Sequence, residues 1–313
     1  MENEAINRLR SYVPPPTAYN EVPLSRRAAV LILLYADPNG ELRVVITIRA
    51  KTLNAGEAAL PGGRADTLAE TPFQTARREA WEEIGLSDID QPLPEPFSVE
   101  HLCELPANLA KTELVVRPCV ALLHSFDEKT GANADPEISL IPKLDAREVA
   151  AVFTASFSNF LRLRDDQGIT DQGGDPGQWY RGSWSLWHHS HWRMHQFFVP
   201  VNERVVKPRN RPGELEREKL AAREQEHFTT STFTSTSARE SQIQRYRVFG
   251  MTARMIVDCA RVAYGREPEF EHNSHFGDEM MIAQLRRMGR LRAQRQPSDE
   301  LTRETMEKAA KLS

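Results

Sequence analysis

The chain has 313 residues, enough for one large domain or two small ones, and 40% hydrophobic with 27% charged residues suits a globular protein with a sizeable core. With 44 acidic against 40 basic side chains, its net charge of −4 argues against general nucleic-acid binding, so affinity for phosphate has to come from specific groups and a cation. No apolar run is long enough for a membrane span, MENEAINRLR is not a signal peptide, and Cys103, Cys119 and Cys259 form no CxxC pair, so the expectation is a soluble intracellular protein without disulfide framework or structural zinc.

Residues 2–10 read as a short amphipathic helix, and Pro14-Pro15-Pro16 as an extended linker. The domain proper begins near Ser25. Residues 28–35 (AAVLILLY) predict a buried strand, Asp37-Pro38-Asn39-Gly40 a reversal, and residues 42–48 a second strand, giving a hairpin that leads towards Pro61-Gly62-Gly63.

After that turn comes the stretch on which function depends. Thr71 is a good N-cap, Gln74 completes a capping box, Pro72 suits the first helical position and Gly85 the C-cap, so a helix is predicted to start at Pro72 and stop before Gly85. Phe73, Ala76, Ala80 and Ile84 form one narrow apolar stripe, while Glu79, Glu82 and Glu83 project from another side. Two carboxylates about 6 Å apart repel by roughly 3 kcal/mol at an effective dielectric near 20, less with solvent screening. A bound Mg²⁺ or Mn²⁺ would reverse that sign, because hard cations take oxygen ligands and share them with phosphates. The alternative is that Arg77, Arg78 and the glutamates form a solvated charged face.

The run Arg78-Glu79-Ala80-Trp81-Glu82-Glu83-Ile84-Gly85-Leu86, one loop after Gly62-Gly63, resembles the Nudix hydrolase signature and matches the second half of its pattern at every fixed position. In the first half the loop is one residue longer, and Glu70 is the residue separated from Arg78 by the expected seven. The resemblance implies an α/β fold, a Nudix α/β/α sandwich with a mixed sheet, that hydrolyses a diphosphate. It implies that Glu79, Glu82, Glu83 and the Gly63 carbonyl hold Mg²⁺ or Mn²⁺, with Arg78 orienting the glutamates. Upstream, Thr47, Arg49, Ala50, Gly56 and Pro61-Gly62-Gly63 are similar to the further pattern of Nudix enzymes acting on coenzyme A, with Leu60 in place of a Phe. The stretch looks most like the fungal coenzyme A diphosphatases, which implies a coenzyme A-type substrate, 3′-phospho-AMP and 4′-phosphopantetheine as products, and a peroxisomal setting. Arg49, Gly62, Gly63 and Arg64 are the expected substrate contacts; for Arg49 the alternative is a snorkelling strand-edge arginine.

Further along, residues 101–104 and 114–124 (LVVRPCVALLH) read as strands, the second bent or at an edge because it contains Pro118. Residues 145–153 and 156–163 resemble the Nudix segment that closes over the site. There Glu148 is a candidate cation ligand or water-orienting base, against a cap or solvated acid. Residues 168–177 (GITDQGGDPG) predict a turn-rich insertion. Trp179, Tyr180, Trp184, Trp187 and Trp192 then alternate with His188, His189, His191 and His195. That spacing is poor for zinc and reads as a hairpin whose rings either stack on an adenine or pack on the core. Residues 203–247 are a charged, then Ser/Thr-rich insertion. A long helix is predicted over 248–264, and two Arg/Lys-rich amphipathic helices over 278–293 and 301–312, suited to a homodimer contact, to docking or simply to solvent.

The expected organisation is an N-terminal extension (1–24), a Nudix domain (25–270, with the 203–247 insertion) and a C-terminal helical tail (271–313). The terminal Ala-Lys-Leu is followed by Ser313, so a tripeptide peroxisomal address is not at the end as written. The expected partner is a small-molecule diphosphate, with neither nucleic acid nor membrane. The rival functions are a Nudix diphosphatase for NADH or ADP-ribose, and a non-catalytic Nudix binding module.

Overall fold

The computed structural model describes residues 2–49, 57–87, 93–136, 140, 149–165, 178–187, 190–200, 245–294 and 301–311. In chain order the elements are α1 (Glu2–Ser11), β1 (Arg27–Ala36), β2 (Leu42–Arg49), β3 (Ala58–Ala59), β4 (Gly62–Arg64), α2 (Pro72–Ile84), β5 (Ser98–Glu104), β6 (Asn108–Leu109) and β7 (Val115–His124). There follow β8 (Phe126–Asp127), β9 (Ala132–Asn133), β10 (Val149–Ser156), β11 (Tyr180–Trp187), β12 (Ser190–Pro200), β13 (Arg245–Phe249), α3 (Gly250–Tyr264), α4 (Glu279–Arg287) and α5 (Arg303–Ala310).

β1 and β2 form the expected antiparallel hairpin, and Asp37 closes its turn by accepting from the N–H groups of Asn39 and Glu41 at 2.8 and 3.0 Å. The main sheet runs β10-β2-β1-β7-β5, with β1 and β7 parallel and the other pairs antiparallel, so the mixed sheet stands as expected. β1 is shared between two partners on one side: β2 pairs with its C-terminal part, and β4 with its N-terminal part through Ala29 opposite Gly63 and Val30 opposite Gly62. This hand-over places the Gly62-Gly63 turn against the middle of the sheet.

Side chains alternate between the two faces of each strand, and both faces are covered. Ala29, Leu31, Leu33, Tyr35 and Val45 share one buried cluster with Ala76, Ala80 and Ile84 of α2. Ala28, Ile32, Leu34, Val44 and Ile46 share another with Ala5, Ile6 and Leu9 of α1 and with Met255, Ile256, Cys259 and Ala260 of α3. The result is the α/β/α sandwich. A third cluster joins Tyr19 and Val22 to Leu109, Val115, Ile282 and Leu285, and to Met306 of α5, so the segment after α1 and the last two helices pack on the β6–β7 end of the sheet.

Four sequence expectations need correction. Pro118 lies within a central strand, opposite Val30 in the parallel β1–β7 pairing. Its carbonyl accepts from Leu105 N–H at 2.9 Å, in the gap between β5 and β6. A strand residue turns its C=O and N–H to the same neighbour, so the donor that proline lacks would face this interruption, and no ladder bond is lost. The long helix starts at Gly250, because Val248 and Phe249 complete β13 opposite Phe197 and Gln196. The next helix stops at Arg287, with the chain turning through Gly289 at φ 69°. The last one spans Arg303–Ala310 behind a Thr302 cap.

The aromatic stretch is a hairpin, β11–β12, extended by β13 into a separate three-stranded sheet. Its base is core: Trp179 and Phe197 are buried with Phe160, and Trp179 Nε1 donates to the Asn159 carbonyl at 3.2 Å. His195 is buried there and bonded to the Tyr180 hydroxyl at 3.0 Å; burial, seconded by the charge of Arg193, pushes its pKa down to about 3, making it a neutral packing residue. Trp184 and Leu186 stay exposed, and His188 and His189 lie outside the described residues.

Candidate active site

Helix α2 forms where the local signals put it. The Thr71 hydroxyl accepts from Gln74 N–H at 3.2 Å, the Gln74 side chain accepts from Thr71 N–H at 2.8 Å, and Gly85 closes the helix in the left-handed conformation at φ 68°. Such a cap stabilises a helix by about 1 kcal/mol. Ala76, Ala80 and Ile84 anchor it to the sheet, and Phe73, half-buried beside them, stacks on His101 with ring centroids 4.0 Å apart.

With that face fixed, the acidic face meets the Gly62-Gly63 turn. Glu83 Oε2 accepts from Gly62 N–H at 3.2 Å. Gly63 packs so closely on Glu79 that a Cβ there would fall inside contact distance of all three atoms of its carboxyl group. Gly62 holds φ 154° with the β1 backbone against it, so neither glycine position has room for a side chain.

Arg78 ties the acidic groups together. Its Nε donates to Glu70 Oε1 at 3.0 Å, Nη1 to Glu79 Oε1 at 3.1 Å and to Glu82 Oε1 at 3.3 Å, and Nη2 to the Arg64 carbonyl at 2.7 Å; Asp66 lies 3.4 Å from Nε. Partial burial works against the guanidinium charge, but the Glu70 bond and the charges of Glu79, Glu70 and Asp66 outweigh it and hold its pKa above the ordinary arginine value. Glu70 is the converse: burial raises its pKa, yet the bonds from Asp66 N–H, Arg78 and the Thr75 hydroxyl bring it below the ordinary carboxylate value.

Of the residues expected at the site, Arg78, Glu79, Glu82, Glu83, Gly62 and Gly63 come together. Arg64 joins through its backbone carbonyl while its side chain is exposed. Arg49 is exposed at the end of β2, its N–H bonded to the Glu57 carbonyl at 3.2 Å where the chain returns towards β3. Glu148 lies outside the described residues, immediately before β10. Glu70 was absent from the expected site set, although its seven-residue separation from Arg78 is the signal that marks it.

The donors are hard oxygens on one helix face beside a glycine turn without side chains, a donor chemistry of the kind Mg²⁺ or Mn²⁺ takes. Among the described residues no group of three or more acidic, histidine or cysteine side chains is placed so that it could hold a metal ion. Two of the glutamates are instead engaged by Arg78, and the third by Gly62 N–H.

A mixed-sheet α/β/α sandwich with a carboxylate-bearing helix clasping a Gly-Gly turn is the architecture of a NUDIX domain, and the NUDIX domain profile matches residues 25–139. Over 173 residues the chain is 37% identical to an uncharacterized Nudix hydrolase, NudL, of Yersinia pestis, covering 51% of this chain and 73% of that protein. It is 32% identical over 168 residues to peroxisomal coenzyme A diphosphatase 1 of Saccharomyces cerevisiae, covering 50% and 49% of the two chains. Nudix hydrolase 15, mitochondrial, of Arabidopsis thaliana is 37% identical over 139 residues, covering 44% and 42%. The chain belongs to the Nudix hydrolase family. It spans about half the length of the yeast relative and less of the plant one. Among the described residues no helix is long and apolar enough to cross a membrane.

Proposed function

We propose that this protein is a divalent-cation-dependent diphosphatase that cleaves the diphosphate of coenzyme A or its derivatives, giving 3′,5′-ADP and 4′-phosphopantetheine. The observation that carries the chemistry is the convergence of Glu79 and Glu83 on the Gly62-Gly63 turn while Arg78 holds Glu79 and Glu82 from the other side.

Glu79, Glu82, Glu83 and the Gly63 carbonyl would hold Mg²⁺ or Mn²⁺. A cation held there would supply Lewis-acid charge, activating water for attack and offsetting the negative charge of the diphosphate. The protein's own part is positioning. α2 is fixed at both ends and along its apolar stripe, so the carboxylates start from a common backbone frame. Arg78, braced by Glu70 and the Arg64 carbonyl, limits their mutual repulsion. Arg49, exposed at the end of β2, and Arg64, exposed just after the turn, would meet the substrate's phosphates.

The choice of coenzyme A is supported by the similarity at Thr47, Arg49 and Pro61-Gly62-Gly63 and by the name of the yeast relative. A peroxisomal setting is supported by that relative's name. Purified protein with Mg²⁺ should be tested against coenzyme A, NADH and ADP-ribose with chromatography of the products. Release of 3′,5′-ADP from coenzyme A, abolished by EDTA and restored by Mg²⁺ or Mn²⁺, is expected. Preference for NADH or ADP-ribose would replace the substrate, and coenzyme A binding without turnover of any diphosphate would indicate a binding module.

A further inference from the structure

At the far end of the sheet, α4 opens with two carboxylates turned into the protein. Asp278 accepts from Leu109 N–H at 2.9 Å and Arg254 Nη1 at 3.0 Å. Glu279 accepts from Ala107 N–H and Arg117 Nη1, both at 2.7 Å, and from Ala18 N–H at 3.2 Å. Beside them lies a cleft of about 450 Å³ whose wall includes Trp192, Phe276, Met280, Met281 and Gln284. Because both acids are satisfied from behind, the cleft offers mainly aromatic and thioether surface, which adapts to aliphatic chains.

The other polar groups in that wall are His191, His275, the Trp192 Nε1, a buried donor without a hydrogen-bond partner among the described residues, and Gln284. Gln284 is 4% exposed, yet it lines the cleft, and among the described residues nothing hydrogen-bonds to its carboxamide. A buried carboxamide has both donors and an acceptor to satisfy. A secondary amide offers one N–H and one C=O and is its complement, whereas a carboxylate would lose its hydration against Phe276 and the methionines.

We propose that this cleft binds an uncharged aliphatic chain carrying a secondary amide, which Gln284 recognises while Met280, Met281, Phe276 and Trp192 enclose the chain. None of these residues belongs to the glutamate site, so the proposal stands apart from the diphosphatase reading.

The test is calorimetric titration of the full chain with N-ethylhexanamide, with ethyl hexanoate, which lacks the N–H, and with hexanoate. One saturable site is expected, preferring the amide over both others by about 10-fold, as one satisfied hydrogen-bonding group warrants. Gln284→Met should bring the amide-to-ester ratio to about 1. Met280→Asp, at a position 69% exposed and tolerant of change, should weaken amide binding at least about 5-fold with unaltered circular dichroism. Absence of saturable amide binding to the wild type, equal binding of amide and ester, or a preference kept in folded Gln284→Met would overturn the proposal. If Gln284→Met does not fold, Met280→Asp decides, and undiminished amide binding in that variant overturns it.

Discussion

Arg78 Nε donates to Glu70 Oε1 at 3.0 Å, spanning eight positions of sequence to join the loop after Gly63 to the helix that carries the glutamates. The bond tolerates the extra loop residue, because Asp66 N–H and the Thr75 hydroxyl hold the other oxygen of Glu70 at 2.9 and 3.0 Å. Glu70→Gln keeps the size and loses the charge. Arg78 would then be drawn further onto Glu79 and Glu82, and Mn²⁺ affinity measured by electron paramagnetic resonance should fall about 10-fold, with turnover of coenzyme A down about 10- to 100-fold. Unchanged Mn²⁺ affinity in a folded variant would show that Glu70 does not position the site.

Glu83 touches Gly62 N–H and stands one turn beyond Glu79 on the same helix face. Glu83→Gln leaves the helix, its caps and its apolar stripe intact, so the thermal unfolding midpoint should move little. Turnover should fall at least about 100-fold, since a charge that works only on the loaded site is removed. Near-normal turnover would sink the assignment of this helix as the catalytic one.

Gly63→Ala tests the packing of turn on helix. The new methyl group would overlap the Glu79 carboxyl group, so either the turn or Glu79 has to shift. Destabilisation of about 1–3 kcal/mol is expected from overpacking, read from urea unfolding, together with loss of turnover. A variant with full activity and stability would mean that the glutamate does not rest on the turn.

Much of this was legible in the sequence because the signals were local. Thr71, Gln74, Pro72 and Gly85 fix α2 through neighbours within a few residues, and Ala76, Ala80 and Ile84 declare its buried side by spacing alone. The buried run of β1 and the Asp37 turn were readable for the same reason. Pro118 was misread because its tolerance depends on where β5 stops and β6 begins, a gap that no local rule can place opposite it. Val248 and Phe249 suit a helix by periodicity, but pairing with Phe197 and Gln196 claims them for a strand. The inward turn of Asp278 and Glu279 was invisible for a similar reason: their partners Ala18, Ala107, Leu109, Arg117 and Arg254 come from four other parts of the chain.

The N-terminal helix offers a prediction about acid. Arg10 donates from Nε and Nη2 to the two oxygens of Glu100 at 2.7 and 2.9 Å, tying α1 to β5, and His124 Nε2 lies 2.9 Å from the same carboxylate. The Arg10 bond, opposed by partial burial and assisted by His124, pulls the Glu100 pKa from an ordinary value of 4.5 down to about 2. Since the folded value is the lower one, the folded state gains stability from the charged form. That gain is complete above about pH 4.5 and drains away as pH falls towards about 2. The groups are partly exposed and screened by solvent, so the effect shows as a slope in pH rather than a large energy. Urea midpoints measured from pH 6 to pH 2 should decline less steeply for Glu100→Gln than for the wild type, with the difference confined to that window. Parallel curves would mean that the Arg10–Glu100 contact does not hold α1 in solution.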